Sequence, residues 1–345
     1  MWHFPGLSGS ATFAYTELYK DELRELPLLL PRVWSGLSPS PVLTMEVLNV
    51  SIAFFFLVVG MCQVLRWLCK RLLSPRAYGC LARELAGSLQ LCTSCLELRM
   101  LMDIGPWGGG FGLDVVLTLL FLLFAVHGAS FDGASANPTV SVQEFLLLES
   151  SLAATAAKLL AQGVGTGTGW AVTKLFWSWE LTQFHFIQNL ISSECSSSIH
   201  TSLPHAALVE GTCSFLFHLV LLRSRQSHPI YRVPALAATV TFLTYTAGSF
   251  TGAFFNPALA TATTFQCTGN SFWDYIQVYW LGPLAGMFAA LLLYQGNIPR
   301  LFQKNLLYSQ KSKYKIPKVK VTVHEEGDEP KRKRKGGKSN SEPRA

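Results

Sequence analysis

Two Asn-Pro pairs, Asn137-Pro138 and Asn256-Pro257, have the residue types and spacing that point to a functional site. Asn is a favoured N-cap and Pro is favoured at the first helical position, so each pair predicts the start of a helix. The apolar run after Asn256 gives about 15 Å of helix, against a hydrocarbon layer of roughly 30 Å. Such a helix covers half a membrane and presents an amide donor at membrane depth.

The flanks of the two pairs are similar. Gly133-Ala134 precedes Asn137 as Gly252-Ala253 precedes Asn256, and three predicted spans lie between the two pairs. An odd number of spans reverses the chain direction, so we expect one half-helix to enter from the cytosolic face and the other from the opposite face. The two boxes read Asn137-Pro138-Thr139 and Asn256-Pro257-Ala258.

Glu84 and Glu210 occupy matching places in the first span of each half. An ionisable residue inside a membrane span is costly and usually has a task. We expect both carboxylates to accept hydrogen bonds from the backbone of the re-entrant loops, rather than to relay protons. For His127 and His218, which also fall in or beside spans, we expect hydrogen-bonded packing rather than a gating role.

The composition favours a polytopic membrane protein, since half of the 345 residues are hydrophobic and only 14% are charged. A first apolar run at Val47–Leu68 is followed by six further candidate spans, and the glycines of Gly163–Gly167 indicate close helix packing. The six spans and the two half-helices form an inverted repeat of three spans plus one half-helix. The six are Gly79–Met102, Gly112–Gly128, Leu152–Trp177, Leu203–Leu222, Val233–Gly248 and Phe272–Tyr294.

Four segments follow from this pattern. Residues 1–44 form an extension that we expect to be poorly ordered, with Met45 as an alternative start, and 45–76 form an additional hydrophobic helix, either a span or an interfacial helix. Residues 77–300 form the channel-like core, and 301–345 form a basic tail. Lys and Arg are concentrated before the first of the six spans, between the fourth and the fifth, and after the sixth. By the positive-inside rule these links are cytosolic, so both ends of the core lie in the cytosol. The basic tail then meets anionic lipid rather than nucleic acid.

Non-helical backbone at membrane depth is tolerated where protein or a water-filled path satisfies its polar groups. Two such segments meeting at the midplane therefore predict an aqueous path. Each helix N-terminus carries roughly +0.5 of an elementary charge, which repels cations. We expect Asn137 and Asn256 each to donate to a passing oxygen, so that small neutral solutes pass and charged ones do not.

These boxes, together with Leu281-Gly282-Pro283, resemble the aquaporin family, and Glu210–His218 and Val278–Trp280 resemble its divergent intracellular branch. The resemblance covers about Met45 to Lys315. It implies an all-α polytopic membrane protein with the six-span aquaporin fold, an inverted repeat and two re-entrant half-helices, to which this chain adds an N-terminal hydrophobic helix. It further implies a homotetramer in an intracellular membrane, such as the endoplasmic reticulum or a vesicle, with the plasma membrane as the open alternative. We expect no cofactor and no metal.

Carrying the family pattern onto this chain gives a selectivity ring of Leu117, Thr244, Ala253 and Leu259. Water-selective members have an aromatic residue, a His and an Arg in this ring. At Leu259 the expected Arg is missing, which removes a fixed cation and its bulk. The ring should be wider and more apolar, so glycerol or hydrogen peroxide joins water as an expected solute. Thr139 replaces the usual Ala and adds a hydroxyl that can bond to a nearby carbonyl.

Two other functions stay open on the sequence. Broken helices also occur in alternating-access transporters, and a channel fold that conducts poorly could act in organelle homeostasis through its basic tail. An enzyme is not expected, because the chain shows no nucleophile with a matching base, no metal cluster and no phosphate-binding glycine loop.

Overall fold

The computed structural model describes residues 41–104, 111–191, 195–296 and 298–302, without the side chains of 41–44, 299 and 302. Its elements are helices, with two π-helical turns at Tyr78–Ala82 and Gln277–Leu281. The helices are α1 (Pro41–Leu72), α2 (Pro75–Ala77), α3 (Arg83–Ile104), α4 (Leu113–Ser130), α5 (Pro138–Leu146), α6 (Leu152–Trp177), α7 (Gln183–Ile191), α8 (Leu203–Ser224), α9 (Pro229–Thr251), α10 (Pro257–Thr264), α11 (Phe272–Ile276), α12 (Gly282–Gln295) and α13 (Pro299–Phe302).

All seven segments predicted to span are helical. Five helical stretches are long and apolar enough to cross a membrane: Met45–Leu72, Leu113–Ser130, Leu203–Ser224, Pro229–Thr251 and Phe272–Gln295. The other two helices, α3 and α6, are 22 and 26 residues long but more polar. Several of their polar residues, including Glu84, Gln90 and Gln162, are buried inside the protein. The protein is therefore an all-α membrane protein in which the two most polar long helices turn buried polar side chains toward the interior.

The two halves use the same close helix packing. In the first half, a Cβ atom added at Gly165 of α6 would collide with the carbonyl oxygen of Leu85 in α3. In the second half, a Cβ atom added at Gly286 of α12 would collide with the carbonyl oxygen of Gly211 in α8. The predicted close packing at Gly163–Gly167 is confirmed at Gly165. The pairs α3 with α6 and α8 with α12 thus form equivalent cores of an inverted repeat.

The additional helix α1 begins at Pro41, four residues before the predicted boundary, and ends at Leu72. The Phe54 ring stacks on Phe176 of α6 at 3.8 Å between centroids, and Ser51 donates a 2.6 Å hydrogen bond to Glu97 of α3. These contacts attach α1 to the first half of the bundle. The predicted extension before residue 41 and the predicted tail beyond residue 302 lie outside the described residues.

The two predicted half-helices are α5, with nine residues, and α10, with eight. At 1.5 Å per residue they are about 13 and 12 Å long, so neither can cross a membrane. Each half-helix has its N-terminus inside the bundle, and the two Asn-Pro pairs meet there. A further short helix, α7, lies in a link for which the sequence predicted no helix.

Candidate functional site

Asn137 and Asn256 are the N-caps of the two half-helices, as the sequence predicts. Each residue is extended, with φ/ψ of −145°/120° and −132°/102°, and each is followed by Pro in the first turn. The Asn137 Oδ1 accepts from the Thr139 amide at 3.0 Å. The Asn256 Oδ1 accepts from the amides of Ala258 and Leu259 at 3.2 and 3.4 Å. These bonds satisfy free amides at the helix start and aim each Nδ2 away from its own helix.

The two side-chain amides bind the opposite loop reciprocally. Asn137 Nδ2 donates to the carbonyl oxygen of Phe255 at 3.2 Å, and Asn256 Nδ2 donates to that of Ala136 at 2.8 Å. In both cases the acceptor is the residue directly before the other Asn. Because an Nδ2 carries two hydrogens, each Asn keeps one for another acceptor. The pair therefore forms a two-fold arrangement of two helix N-termini and two spare donors.

The loop in front of each Asn is held by one buried carboxylate. Glu84 accepts from the backbone amides of Ser135 and Ala136, at 3.0 to 3.2 Å, and from the side chain of Gln162 at 2.9 Å. Glu84 and Glu210, the carboxylate that holds the second loop, are both completely buried. Glu210 accepts from the amides of Phe254 and Phe255, at 3.1 and 2.6 Å, and from the Thr251 hydroxyl at 2.6 Å.

These bonds support an unusual backbone. Ala136 has a φ of 48° and Phe255 a φ of 31°, in the left-handed region that L-residues seldom occupy. Such a conformation persists where the surrounding structure enforces it. The carboxylates supply that constraint, which is the loop-supporting geometry expected for Glu84 and Glu210.

The Thr139 hydroxyl makes contacts that the sequence did not predict. It donates to Asn137 Oδ1 at 2.8 Å, instead of to a backbone carbonyl, and it lies 3.0 Å from Nε2 of His218 in α8. Nδ1 of His218 lies 2.5 Å from the side chain of Gln143. The hydrogen-bonded packing expected for His218 is thus confirmed. For His127 it is wrong, because neither ring nitrogen has a partner among the described residues, and its ring packs on Phe131.

The residues of the predicted selectivity ring lie in different surroundings. Ala253 and Leu259, three residues on each side of Asn256, are buried in two hydrophobic clusters. Thr244 of α9 is half-buried, and Leu117 of α4 lines a groove between α4 and α9. The ring stays a prediction for these four residues.

A disulfide joins Cys195, before α8, to Cys267, just after α10. Backbone hydrogen bonds reinforce it, since Ser197 N donates to the Thr268 carbonyl at 2.9 Å and Thr268 N donates to the Cys195 carbonyl at 3.0 Å. The scattered cysteines gave no spacing from which this pair could be predicted. The disulfide fixes the C-terminal end of the second half-helix.

A third buried carboxylate, Glu97 of α3, was also missed. It accepts from Ser51 of α1 at 2.6 Å and from Trp177 Nε1 of α6 at 2.8 Å, and it lies 3.0 Å from Nε2 of His185 in α7. Glu97 therefore joins four helices away from the Asn pair. An intramembrane carboxylate is a sequence signal, but its partners come from three distant segments.

The described residues include no group of three or more His, Cys, Asp or Glu side chains that could hold a metal ion. The expectation that the protein needs no metal and no cofactor stays a prediction.

The fold and site define a polytopic helical membrane protein with two half-helices that meet at Asn residues. A family model for the major intrinsic protein family matches residues 107–294. The chain is 53% identical to aquaporin-12 of Mus musculus over 278 residues, which cover 81% of this chain and 96% of that protein. It is 36% identical to aquaporin-11 of Equus caballus over 229 residues, 65% of this chain and 80% of that protein.

Among solved structures, the aquaglyceroporin from Plasmodium falciparum matches with a TM-score of 0.48 and 17% identity, over 64% of this chain and 98% of that chain. The family model and the sequence relatives are decisive. The chain belongs to the major intrinsic protein family, the family of the aquaporin channels, and is a membrane transport protein of that class.

Proposed function

We propose that this protein is a passive channel for water and for other small neutral solutes, such as glycerol and hydrogen peroxide, with its narrowest polar point at Asn137 and Asn256. The observation that carries the proposal is the reciprocal bonding of the two amides. Each Nδ2 spends one hydrogen on the opposite loop and keeps one for a passing oxygen.

The electrostatics of the junction support passage of neutral molecules. Two helix N-termini meet there, each with roughly +0.5 of an elementary charge. The carboxylates of Glu84 and Glu210 are engaged by the backbone amides of the loops, so a cation that lost its hydration shell would meet the helix N-termini and the amide donors. A water molecule that accepts from both Asn side chains has its own hydrogens directed away from the junction, which interrupts proton hopping.

Selectivity among neutral solutes would depend on the ring of Leu117, Thr244, Ala253 and Leu259. An apolar Leu259 next to Asn256 offers no fixed donor to a solute, and it leaves more room than an Arg. This supports permeation by solutes larger than water, with weaker discrimination between water and glycerol.

The disulfide and the family resemblance support a location. The Cys195–Cys267 disulfide joins two links that carry no Lys or Arg, which the charge pattern assigns to the non-cytosolic face, and disulfides persist in oxidising compartments. We place that face in the lumen of the secretory pathway and the C-terminal tail in the cytosol, in an intracellular membrane. The family resemblance supports a homotetramer.

The test is stopped-flow light scattering of proteoliposomes that contain the full chain. Asn256→Leu removes the donor and the N-cap, and we expect osmotic permeability to fall close to that of empty vesicles. Asn49→Leu, the same exchange at an exposed position of α1, is the matched control and should keep the wild-type rate. Wild-type vesicles that are no more permeable than empty ones would sink the proposal, and saturable glycerol uptake would indicate an alternating-access transporter instead.

A further inference from the structure

The first box differs from the second in the source of the hydrogen bonds that hold its Asn. Asn256 Oδ1 accepts from two backbone amides, those of Ala258 and Leu259. Asn137 Oδ1 accepts from the amide of Thr139 at 3.0 Å and from the hydroxyl of the same residue at 2.8 Å. The Thr139 hydroxyl therefore takes the place of the second backbone donor.

A threonine hydroxyl in a helix normally has an easier partner. Thr173 of α6 and Thr261 of α10, for example, donate to the carbonyl oxygens of Gly169 and Pro257, four residues back. Thr139 stands in the first turn of α5, where the preceding backbone is not helical. Its hydroxyl is free to turn toward Asn137, and a further contact must keep it there.

His218 supplies that contact. Its Nε2 lies 3.0 Å from the Thr139 Oγ1, and both side chains are completely buried. Because the Thr139 hydrogen goes to Asn137, the Thr139 oxygen must accept, so Nε2 of His218 carries the proton. On the other side of the ring, Oε1 of Gln143 lies 2.5 Å from Nδ1. A neutral ring with its proton on Nε2 needs a donor at Nδ1, so our assignment turns the Gln143 amide by 180° and places its nitrogen there.

We propose that His218 and Thr139 are positioning residues for the Asn137 amide, and that they fix in the first half-helix what the backbone alone fixes in the second. The inference rests on the proposed channel function, since it concerns the donor that a solute would meet. His218 belongs to α8, a helix of the second half, while Thr139 and Asn137 belong to the first. Through this chain of hydrogen bonds, a residue of the second half of the repeat orients the Asn137 amide of the first half.

The matched pair Thr139→Val and Thr139→Ser tests the hydroxyl. Valine keeps the shape and the β-branching but removes the hydroxyl, so Asn137 Oδ1 loses one of its two donors. We expect the osmotic permeability per folded channel to fall roughly three- to tenfold, the usual effect of one net hydrogen bond. Serine keeps the hydroxyl and should restore at least half of the wild-type permeability. Thr239→Val, at an exposed site on α9 where the hydroxyl bonds within its own helix, is the control.

A double-mutant cycle tests whether His218 acts through Thr139. His218→Phe alone should lower the permeability by about the same factor as Thr139→Val, and the double variant should be no lower than Thr139→Val alone. Folded protein is counted by fluorescence-detected size exclusion, so that flux is expressed per channel. If the two residues had only a structural role, the variants would lower the amount of folded protein but not the permeability per folded channel.

Three results would overturn the inference while leaving the channel intact. They are a wild-type rate for Thr139→Val, a Ser variant as slow as the Val variant, and additive losses in the double variant. A wild-type protein that conducts nothing would instead contradict the proposed function itself.

Discussion

The two half-helices are built on the same plan and secured by different means. Each starts at an Asn-Pro pair, each loop is held by one buried glutamate, and each Asn donates to the carbonyl before the other. The shared features are those that the junction of the two Asn residues requires. The contacts that support the two loops differ, so the geometry of the junction is kept while the residues that stabilise each loop vary.

The differences are chemical. The first loop has Ser135 and Ala136 where the second has Phe254 and Phe255, so the first is surrounded by polar contacts and the second by apolar ones. The first is stabilised from outside by α1, through Lys70 and Asp132. The second is stabilised by the Cys195–Cys267 disulfide.

The largest effect should come from the glutamates that the two halves share. Glu84→Gln and Glu210→Gln each turn an amide nitrogen toward buried donors, and we expect each to lower the free energy of unfolding by about 4 kcal/mol. Thermal unfolding in detergent measures this, with Glu180→Gln at an exposed turn as the control. If the two variants lost very different amounts of unfolding free energy, the two glutamates would not be equivalent supports of their loops.

The disulfide should rank next. Cys267→Ser opens a cross-link between residues 72 apart, and we expect the free energy of unfolding to fall by about 3 kcal/mol. The same shift should follow from adding reductant to the wild type, and reductant should have no effect on the variant. Cys80→Ser, at a half-buried free cysteine, is the control. Equal melting temperatures for wild type and Cys267→Ser would show that the second half-helix does not need this support.

Leu259→Arg sharpens the comparison at the selectivity ring. Restoring the family's cation beside Asn256 should narrow the path, so we expect the ratio of glycerol to water permeability to fall about tenfold, a barrier change of about 1.4 kcal/mol. Side-by-side stopped-flow assays measure both fluxes. Leu259→Met, which keeps the volume without a charge, should leave the ratio unchanged. An unchanged ratio for Leu259→Arg would place this side chain outside the path.

The smallest effect should come from the polar support of the first loop. Asp132→Asn removes an exposed ion pair with Lys70, 2.8 Å long, and we expect a loss of at most about 1 kcal/mol. Burial raises the pKa of Asp132, but hydrogen bonds from Lys70 and Tyr78 outweigh this and hold it below the usual range. The folded-state pKa is depressed, so the stabilisation is present at neutral pH and is lost as the pH falls below about 4.

Thermal unfolding at neutral pH and at pH 3 separates the two contributions. The difference between the wild type and Asp132→Asn should shrink at the lower pH. A difference that grows on acidification would contradict this account of Asp132.

Much of the fold could be predicted because its signals are local. An N-cap with a following Pro acts within one turn of helix, so Asn137 and Asn256 marked both half-helices. Apolar length and flanking basic residues marked the long helices. Glu84 and Glu210 stood out because a carboxylate inside a membrane span is energetically costly and usually has a functional or structural role. The family resemblance is now confirmed by the family model and by relatives above one-third identity.

The sequence by itself determined where helices start, which ones are too short to cross, and that two halves repeat, since these depend on residues a few positions apart. Only the tertiary structure decided which groups meet across the bundle. His218 reaches Thr139 over 79 positions, and Cys195 pairs with Cys267 over 72. Such contacts depend on how the helices pack against one another, and no spacing within one helix encodes that.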